Sequence, residues 1–229
     1  RIIGWLLAVP VISVLHNNVD QNGLVRTWID RLTSYFSAHV VAVSDGVAHS
    51  LEVYMPWFIQ GTVHIIRNGV AIDEIKLRIK KEQKTRKDLG LQDHQMVIGS
   101  VGRFVSVKNY SLLLTSFALL YDEYPHARLV LVGYGVQEKF LRQRARDFGI
   151  DDRVVFVVGQ SSYGYYPLFD CFALSSFKEG ISLALLEAMS LGLPCVVIAD
   201  NYKHDVIVHE FNGLLVGANN PEQLAASLA

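Results

Sequence analysis

The sequence has little cysteine, little proline and almost no net charge. Its 229 residues include two cysteines and six prolines, and 21 basic residues against 22 acidic ones give a formal net charge of −1. Cys171 and Cys195 both fall in apolar runs, which is typical of buried free thiols and not of a disulfide-rich secreted scaffold. The balanced charge argues against a general nucleic-acid binder, which usually carries a basic excess.

Metal-ligand motifs and membrane-spanning runs are also lacking. Neither a His-Glu-x-x-His pattern nor a paired-cysteine motif occurs, so we predict no structural metal. The apolar stretch 2–15 is too short to span a bilayer and is interrupted by Pro10. We interpret it as a helix end and a buried strand. We therefore expect the chain to begin inside a domain, and to end within a helix at LAASLA.

Short apolar segments alternate with longer amphipathic ones along the chain. Hydrophobic residues make up 51% of the sequence and the mean hydropathy is +0.26, which is enough for a large core. The predicted strands are 9–15, 40–43, 63–66, 96–101, 128–132, 154–157, 171–174 and 194–199, and two of the predicted helices are 109–122 and 137–148. This alternation predicts an α/β fold with doubly wound parallel sheets.

A strongly charged stretch, KLRIKKEQKTRKDLG, begins shortly after residue 70. It predicts a solvated helix, with a membrane- or phosphate-binding patch as the alternative. We place a domain boundary near residue 70, which divides the chain into 1–70 and 71–229.

The segment 175–194, SSFKEGISLALLEAMSLGLP, has the features of a ligand-binding loop followed by a helix. A loop with Glu179 and Gly180 precedes a helix that begins near Ser182. The free backbone N–H groups at such a helix start suit a phosphate or a sugar. Glu187 lies on the second helical turn, so Glu179 and Glu187 can contact different parts of one extended ligand. Two unrelated surface glutamates explain the spacing equally well.

Charged or polar residues follow two other predicted strands. Gly102, Arg103 and Lys108 follow strand 96–101, at the strand end where doubly wound sheets bind ligands, and the two cations suit a diphosphate. His16 follows strand 9–15 and suits a sugar hydroxyl or a phosphate. The alternatives are solvated loop charges and a surface histidine.

Gly133-Tyr134-Gly135 resembles the start of a dinucleotide-binding motif. The third glycine position holds Glu138, where close packing needs Gly or Ala. We predict a tight turn without a cofactor, and a nicotinamide-dependent oxidoreductase remains the competing interpretation.

Taken in order, these segments resemble glycosyltransferase family four, whose members have the GT-B fold of two Rossmann-like domains. The matching text is VPVISVLHN, VAVSDGVAHSL, VHIIRNGV, GSVGRFVSVKN, ARLVLVGYG, DRVVFVVG, KEGISLALLEAMSLGLPCVV and NGLLV. The resemblance implies that 1–70 is the latter part of an acceptor-side domain and that 71–229 is the domain that binds the nucleotide sugar.

The resemblance also implies a role for each site residue. Glu179 and His16 are the catalytic-site residues beside the donor sugar, and Glu187 binds the ribose. Arg103 and Lys108, with Gly102, bind the diphosphate. The remaining positions are the sugar and phosphate loop, Gly180, Ile181 and Ser182, and the base-binding residues, Gly159, Gln160 and Ser161. This sequence departs from the family pattern at two places. The stretch 159–179, which includes the base pocket, is shorter than expected, and Asp205 stands where many members carry Glu.

The function implied is sugar transfer, with retention of the anomeric configuration, from a nucleoside-diphosphate sugar. The acceptor is a glycan, a lipid-linked saccharide or a small molecule. We expect no cofactor and no metal, because Asp151-Asp152 precedes a predicted strand and is not a D-x-D site. A cytoplasmic location, with peripheral association at the inner membrane face as an option, is expected. The alternative is a nucleotide-sugar-binding module or inactive fragment without turnover.

Overall fold

A computed structural model of the chain describes residues 1–16, 28–29, 32–33, 36–54, 63–176, 179–199 and 204–229. Contacts divide the chain into two compact units. The first comprises Arg1–Gly69 together with Lys178–Ser182, and the second comprises Val70–Phe177 and Leu183–Ala229.

The first unit contains a parallel sheet in the order β1-β2-β3. Its elements are α1 (Ile2–Leu6), β1 (Ile12–Leu15), β2 (His39–Ala42), α2 (Asp45–Tyr54) and β3 (Val63–Ile65). Val40 and Leu51 form one small core cluster, and Ala42, Val43 and Val47 form another.

Strand β1 is shorter than the predicted strand 9–15. The amide of Val9 donates to the carbonyl oxygen of Gly4, and Ala8 has a positive φ of 51°, so the chain still turns out of α1 at these residues. Pro10 then lacks the N–H that a ladder needs. The strand therefore begins only at Ile12.

The second unit is built on a six-stranded parallel sheet in the order β6-β5-β4-β7-β8-β9. Its strands are β4 (Met96–Val101), β5 (Ala127–Gly133), β6 (Val154–Val158), β7 (Cys171–Leu174), β8 (Cys195–Ile198) and β9 (Leu214–Val216). Its helices are α3 (Ile72–Lys81), α4 (Tyr110–Glu123), α5 (Glu138–Asp147), α6 (Leu183–Ser190) and α7 (Pro221–Leu228). The predicted α/β class with parallel sheets is confirmed.

The core lies on both faces of the six-stranded sheet, because successive strand residues point to opposite faces. In β5, Leu129 and Leu131 face the side covered by α4, α5 and α7. Val130 and Val132 face the other side, with residues of α6 and of the turn Tyr166–Leu168. Burial on both faces explains why these strands are continuously apolar in the sequence. Within the described residues, no helix is both long and apolar enough to cross a membrane.

Candidate functional site

The strand order of the second unit reverses beside β4. From β4 the chain proceeds outward to β5 and β6, and it then returns to place β7 on the other side of β4. Ligands of doubly wound sheets bind at such a reversal, outside the carboxyl ends of the strands. The loops that follow β4 and β7 flank this position.

A hydrogen bond joins these two loops. The hydroxyl of Ser175, just after β7, donates to the carbonyl oxygen of Lys108 over 2.8 Å. Lys108 ends the short turn Ser106–Lys108, and Asn109 follows with a left-handed φ of 47°. A methyl group on Gly102 would lie 3.2 Å from Lys108 Cε. The lysine side chain therefore lies back over the first residue of its own loop.

Arg103 occupies the same loop and is exposed. Its neighbour Phe104 is fully buried and packs edge-on against Tyr110, with ring centroids 5.3 Å apart. This contact fixes the backbone beside Arg103, so the loop presents one exposed and one half-buried cation at the reversal.

The loop after β5 packs against the loop after β4. A methyl group on Gly133 would lie 1.9 Å from the carbonyl oxygen of Gly102, and one on Gly135 would lie 2.4 Å from that of Phe104. The amide of Phe104 also donates to the carbonyl oxygen of Tyr134 over 2.8 Å. Backbone packing between the two loops accounts for both glycines, as expected of a tight turn.

Glu187 lies on the second turn of α6, as predicted, and it is half-buried. The hydroxyl of Tyr166 donates to its Oε2 over 2.6 Å, and the hydroxyl of Tyr163 donates to its Oε1 over 3.2 Å. Burial and the adjacent carboxylate both raise the pKa of the Tyr166 phenol, and the same causes raise the pKa of Tyr163. Both phenols therefore remain protonated donors at neutral pH. An ordinary surface glutamate would not be held in this way.

The residues predicted to bind the base follow β6. Gly159 has a left-handed φ of 70°, and both Gln160 and Ser161 are exposed. The side-chain oxygen of Gln160 accepts a hydrogen bond from the hydroxyl of Tyr165, which is itself buried. These residues belong to the second unit, together with Arg103 and Lys108.

The remaining predicted residues belong to the first unit. His16 directly follows β1 and is exposed, whereas Gly180, Ile181 and Ser182 are buried. Within this unit, a methyl group on Gly180 would lie 2.7 Å from the carbonyl oxygen of His16. Glu179, beside this glycine, is half-buried. The structure thus brings His16 and the loop 179–182 together, and α6 begins at Leu183, one residue after this loop.

Neither the acidic residues nor the thiols form a metal site in the described part of the chain, where no group of three His, Cys, Asp or Glu residues is placed to hold an ion. Asp152 lies in the turn before β6 and pairs with Arg153 over 3.1 Å. Cys171 and Cys195 are free cysteines in β7 and β8, and burial raises the pKa of each to about 12.

Comparison with known proteins identifies the family of this chain. Residues 81–229 match the model of glycosyl transferases group 1. The chain belongs to this family. It is 28% identical over 203 residues to an uncharacterized glycosyltransferase of Methanocaldococcus jannaschii, covering 86% of this chain and 51% of the relative. It is 29% identical over 241 positions to the Escherichia coli UDP-Gal:alpha-D-GlcNAc-diphosphoundecaprenol alpha-1,3-galactosyltransferase, covering 100% of this chain and 62% of the relative.

Solved structures show the same fold. The crystal structure of Anabaena HepE in complex with UDP and glucose matches with a TM-score of 0.84 at 21% identity, covering 99% of this chain and 63% of that one. The parallel sheets with flanking helices are those of GT-B glycosyltransferases, and the second unit is Rossmann-like, as expected from the resemblance. The chain spans about half to three-fifths of the length of these group 1 relatives.

Sequence reasoning missed the residues that hold the candidate site in place. The hydroxyls of Tyr163 and Tyr166 donate to Glu187, and that of Tyr165 donates to Gln160; none of the three tyrosines was predicted. The available signal was the density of tyrosines in SSYGYYPLF, which Asp170 alone separates from the predicted strand 171–174. Tyrosines in a loop without hydrophobic periodicity suggest hydroxyls with specific partners, because buried Tyr O–H groups are usually hydrogen-bonded.

Proposed function

We propose that this chain carries the donor-binding part of a retaining glycosyltransferase that uses a nucleoside-diphosphate sugar. The observation that carries the proposal is the pair of loops at the reversal of the sheet. The loop with Arg103 and Lys108 is joined through Ser175 to the end of β7, and the chain then leads into the helix that carries Glu187. Cations, a helix start and a fixed carboxylate provide what a diphosphate and a ribose require.

We assign the nucleotide contacts to residues of the second unit. Arg103 and Lys108, with the close approach allowed by Gly102, stabilise the charge that develops on the diphosphate as the anomeric C–O bond breaks. Preorganised cations contribute most where charge appears in the transition state. Glu187 accepts hydrogen bonds from the ribose hydroxyls. The residues Gly159, Gln160 and Ser161 hold the base through their backbone.

We assign the sugar contacts to the loop 179–182 and to His16. Glu179 accepts hydrogen bonds from sugar hydroxyls and so orients the ring; it does not attack the anomeric carbon. The backbone of Gly180, Ile181 and Ser182 approaches the sugar and the phosphate, and His16 lies beside them. The acceptor hydroxyl attacks from the face that the diphosphate leaves, and its proton passes to the leaving phosphate oxygen. The new bond therefore keeps the anomeric configuration.

We further propose that this chemistry needs no metal, because Arg103, Lys108 and the start of α6 supply the positive charge. Turnover in the presence of EDTA is the measurement. Full activity is expected. Loss of activity that returns with Mg²⁺ would assign part of the charge stabilisation to an ion.

The acceptor and the location are proposed from chemistry and from relatives. The E. coli relative is named for a UDP-galactose donor and a diphosphoundecaprenol-linked acceptor, which supports testing lipid-linked saccharides beside free glycans and small molecules. Such acceptors would draw the protein to the inner membrane face as a peripheral protein. Two free thiols, one buried and one half-buried, support a reducing, cytoplasmic location.

The first experiment is calorimetry of the full-length protein with UDP, GDP and ADP, with NAD as a comparison. Binding of one nucleoside diphosphate, and none of NAD, is expected. HepE has been crystallised with UDP and glucose, so UDP is tested first. A screen of donor sugars then identifies the product, whose anomeric configuration is read by NMR. An inverted anomer would contradict the proposed mechanism.

A donor-binding module without turnover is the second candidate, favoured by the placement of Arg103, Lys108 and Glu187 in one compact unit, the second. It predicts nucleotide binding without sugar transfer to any acceptor class. Transfer by this chain alone would eliminate it. Binding of NAD instead of a nucleoside diphosphate would revive the oxidoreductase interpretation.

A further inference from the structure

Both oxygens of the Glu187 carboxylate accept hydrogen bonds from tyrosines on one short segment. We infer that Tyr163 and Tyr166 are positioning residues that orient this carboxylate toward the two ribose hydroxyls of a nucleotide. They thereby set the preference for ribonucleotides over 2′-deoxyribonucleotides. The inference rests on the proposed function, which makes Glu187 the ribose-binding residue. Tyr163 and Tyr166 are called the tyrosine pair below.

Tyr166 is the rigid member of the tyrosine pair. Its side chain is fully buried, and its ring lies among those of Phe169 and Phe172, with centroids 5.9 and 6.1 Å away. Its hydroxyl lies 2.6 Å from Glu187 Oε2 and also 3.3 Å from the carbonyl oxygen of Ala184, one helical turn earlier. Aromatic packing therefore fixes the donor before any ligand arrives.

Tyr163 is the half-buried member. Its hydroxyl lies 3.2 Å from Glu187 Oε1, and the guanidinium of Arg78 lies over its ring, 5.1 Å from the centroid. Arg78 is itself held on α3 by Glu74, through a contact of 2.7 Å. A cation over the ring face adds to its orientation. Tyr163 thus connects α3 to the carboxylate.

The backbone between the tyrosines is held as closely as their rings. A methyl group on Gly164 would lie 2.1 Å from the carbonyl oxygen of Glu82, in the segment after α3. The position has no room for a side chain, so the loop rests directly on that segment. Both members of the tyrosine pair therefore approach Glu187 from a fixed backbone.

Counting acceptor sites shows what the arrangement leaves for a ligand. An ionised carboxylate offers about four lone-pair sites, and the tyrosine pair takes one on each oxygen. Among the residues that the structure describes, one site remains on Oε1 and one on Oε2. Two sites on neighbouring oxygens match the two adjacent hydroxyls of a ribose, and a deoxyribose would leave one of them unused. A carboxylate bonded at both oxygens also cannot rotate without breaking these bonds.

The test compares the affinities for UDP and 2′-deoxy-UDP, measured by calorimetry on the full-length protein. If GDP or ADP proves to be the bound nucleotide, its own 2′-deoxy form is used. The wild type should prefer the ribonucleotide by about tenfold or more, as one hydrogen bond to a charged group allows. Tyr166→Phe should reduce that preference by roughly threefold to tenfold, and Tyr163→Phe should reduce it less. Glu187→Gln should bring it close to one.

The ratio of the two affinities separates positioning from mere stability. A structural defect would weaken both nucleotides equally and leave the ratio unchanged. Tyr121→Phe, on the far side of the sheet over Arg153, removes a remote phenol and should change neither affinity. Tyr165→Phe removes the hydroxyl bonded to Gln160; it should weaken both nucleotides without changing their ratio.

The outcomes distinguish this inference from the proposed function. A ratio that falls in both tyrosine variants supports the tyrosine pair. If Glu187→Gln abolishes the preference but Tyr163→Phe and Tyr166→Phe keep it, the inference is wrong and the ribose assignment stands. If the wild type binds no nucleoside diphosphate, or binds the ribonucleotide and its 2′-deoxy form equally, the ribose assignment is wrong and the inference is wrong with it. Should Tyr166→Phe not fold, Tyr163→Phe decides alone.

Discussion

The six-stranded sheet is held by different kinds of contact at the two ends of its strands. The side where the parallel strands begin is called the amino edge, and the side where they end is called the carboxyl edge. At the amino edge, the Asp170 carboxylate accepts hydrogen bonds from the Arg86 guanidinium at 2.9 and 3.0 Å and from the Val97 amide at 2.7 Å. At the carboxyl edge, the loops after β4 and β5 pack through their backbones, and Ser175 donates to a carbonyl oxygen of Lys108. Charged side chains take part in the contacts at the amino edge, whereas main-chain packing and one serine hydroxyl hold the carboxyl edge.

Because of this difference, substitutions that change stability and substitutions that change ligand binding should lie at opposite ends of the strands. Where backbone contacts fix a loop, its side chains can be changed with little effect on the fold. Where a carboxylate is itself the contact, its removal leaves the buried Val97 amide without its side-chain acceptor and takes one partner from Arg86, which is costly. The amino edge should therefore respond to substitution in stability, and the carboxyl edge in function.

The largest effect is expected for Lys108→Ala at the carboxyl edge. Loss of a preorganised cation from the diphosphate should lower turnover by about 10²–10³-fold, with little change in melting temperature. Release of nucleoside diphosphate by the full-length protein is the measurement. The control is Lys139→Ala, which removes an exposed cation at the same edge, at the start of α5. Equal losses in both variants would show that the edge acts only through its general charge.

A smaller effect, on stability alone, is expected for Asp170→Ala at the amino edge. The buried Val97 amide loses its side-chain acceptor, and Arg86 keeps only its bonds to the backbone carbonyls that follow it. The free energy of unfolding should therefore fall by about 1–2 kcal/mol. That corresponds to roughly 2–8 °C in melting temperature for a chain of this size. The matched control, Asp122→Ala, removes an exposed carboxylate and should change the free energy of unfolding by less than about 0.5 kcal/mol. Reduced nucleotide affinity in folded Asp170→Ala would contradict the separation of the two edges.

The smallest effect is expected for the thiols of the amino edge. Burial raises the pKa of Cys171 and Cys195 to about 12, against an unfolded value of about 8.5. Their contribution to stability is complete below the unfolded pKa and is lost as the pH rises from there toward 12. Stability should thus be insensitive to these thiols from pH 6 to 8. Iodoacetamide at pH 8 should label the native protein at least about a hundredfold more slowly than the unfolded protein.

The sequence predicted the second unit better than the first because burial on both sheet faces leaves continuous apolar runs. Strands β4 and β7 have the predicted bounds, β5 is longer than predicted by one residue at each end, and β6 is longer by one residue at its carboxyl end. Strand β9, Leu214–Val216, is absent from the predicted strands. At β1, local turn geometry after α1 overrides an apolar pattern that begins at Val9.

The candidate site was predictable where it depends on position along the chain. Glycines, cations and glutamates that follow strands can be placed on a sheet edge from periodicity alone. The bonds from Tyr166 to Glu187 and from Ser175 to Lys108 were not predictable. They join residues distant in sequence, and no local pattern records which hydroxyl meets which oxygen. Whether the predicted residues act together on a donor stays a prediction.

The central pairing of the sheet also bears on the order of folding. Strand β4 meets β5 after a single intervening helix, but its contact with β7, such as Ser100 with Ala173, joins residues 73 positions apart. Closing the longer loop causes a larger loss of chain entropy. We therefore expect β4, β5 and β6 to associate first and β7 later. The crevice at the reversal therefore forms late on the folding pathway. A nucleotide bound there should slow unfolding far more than it speeds folding.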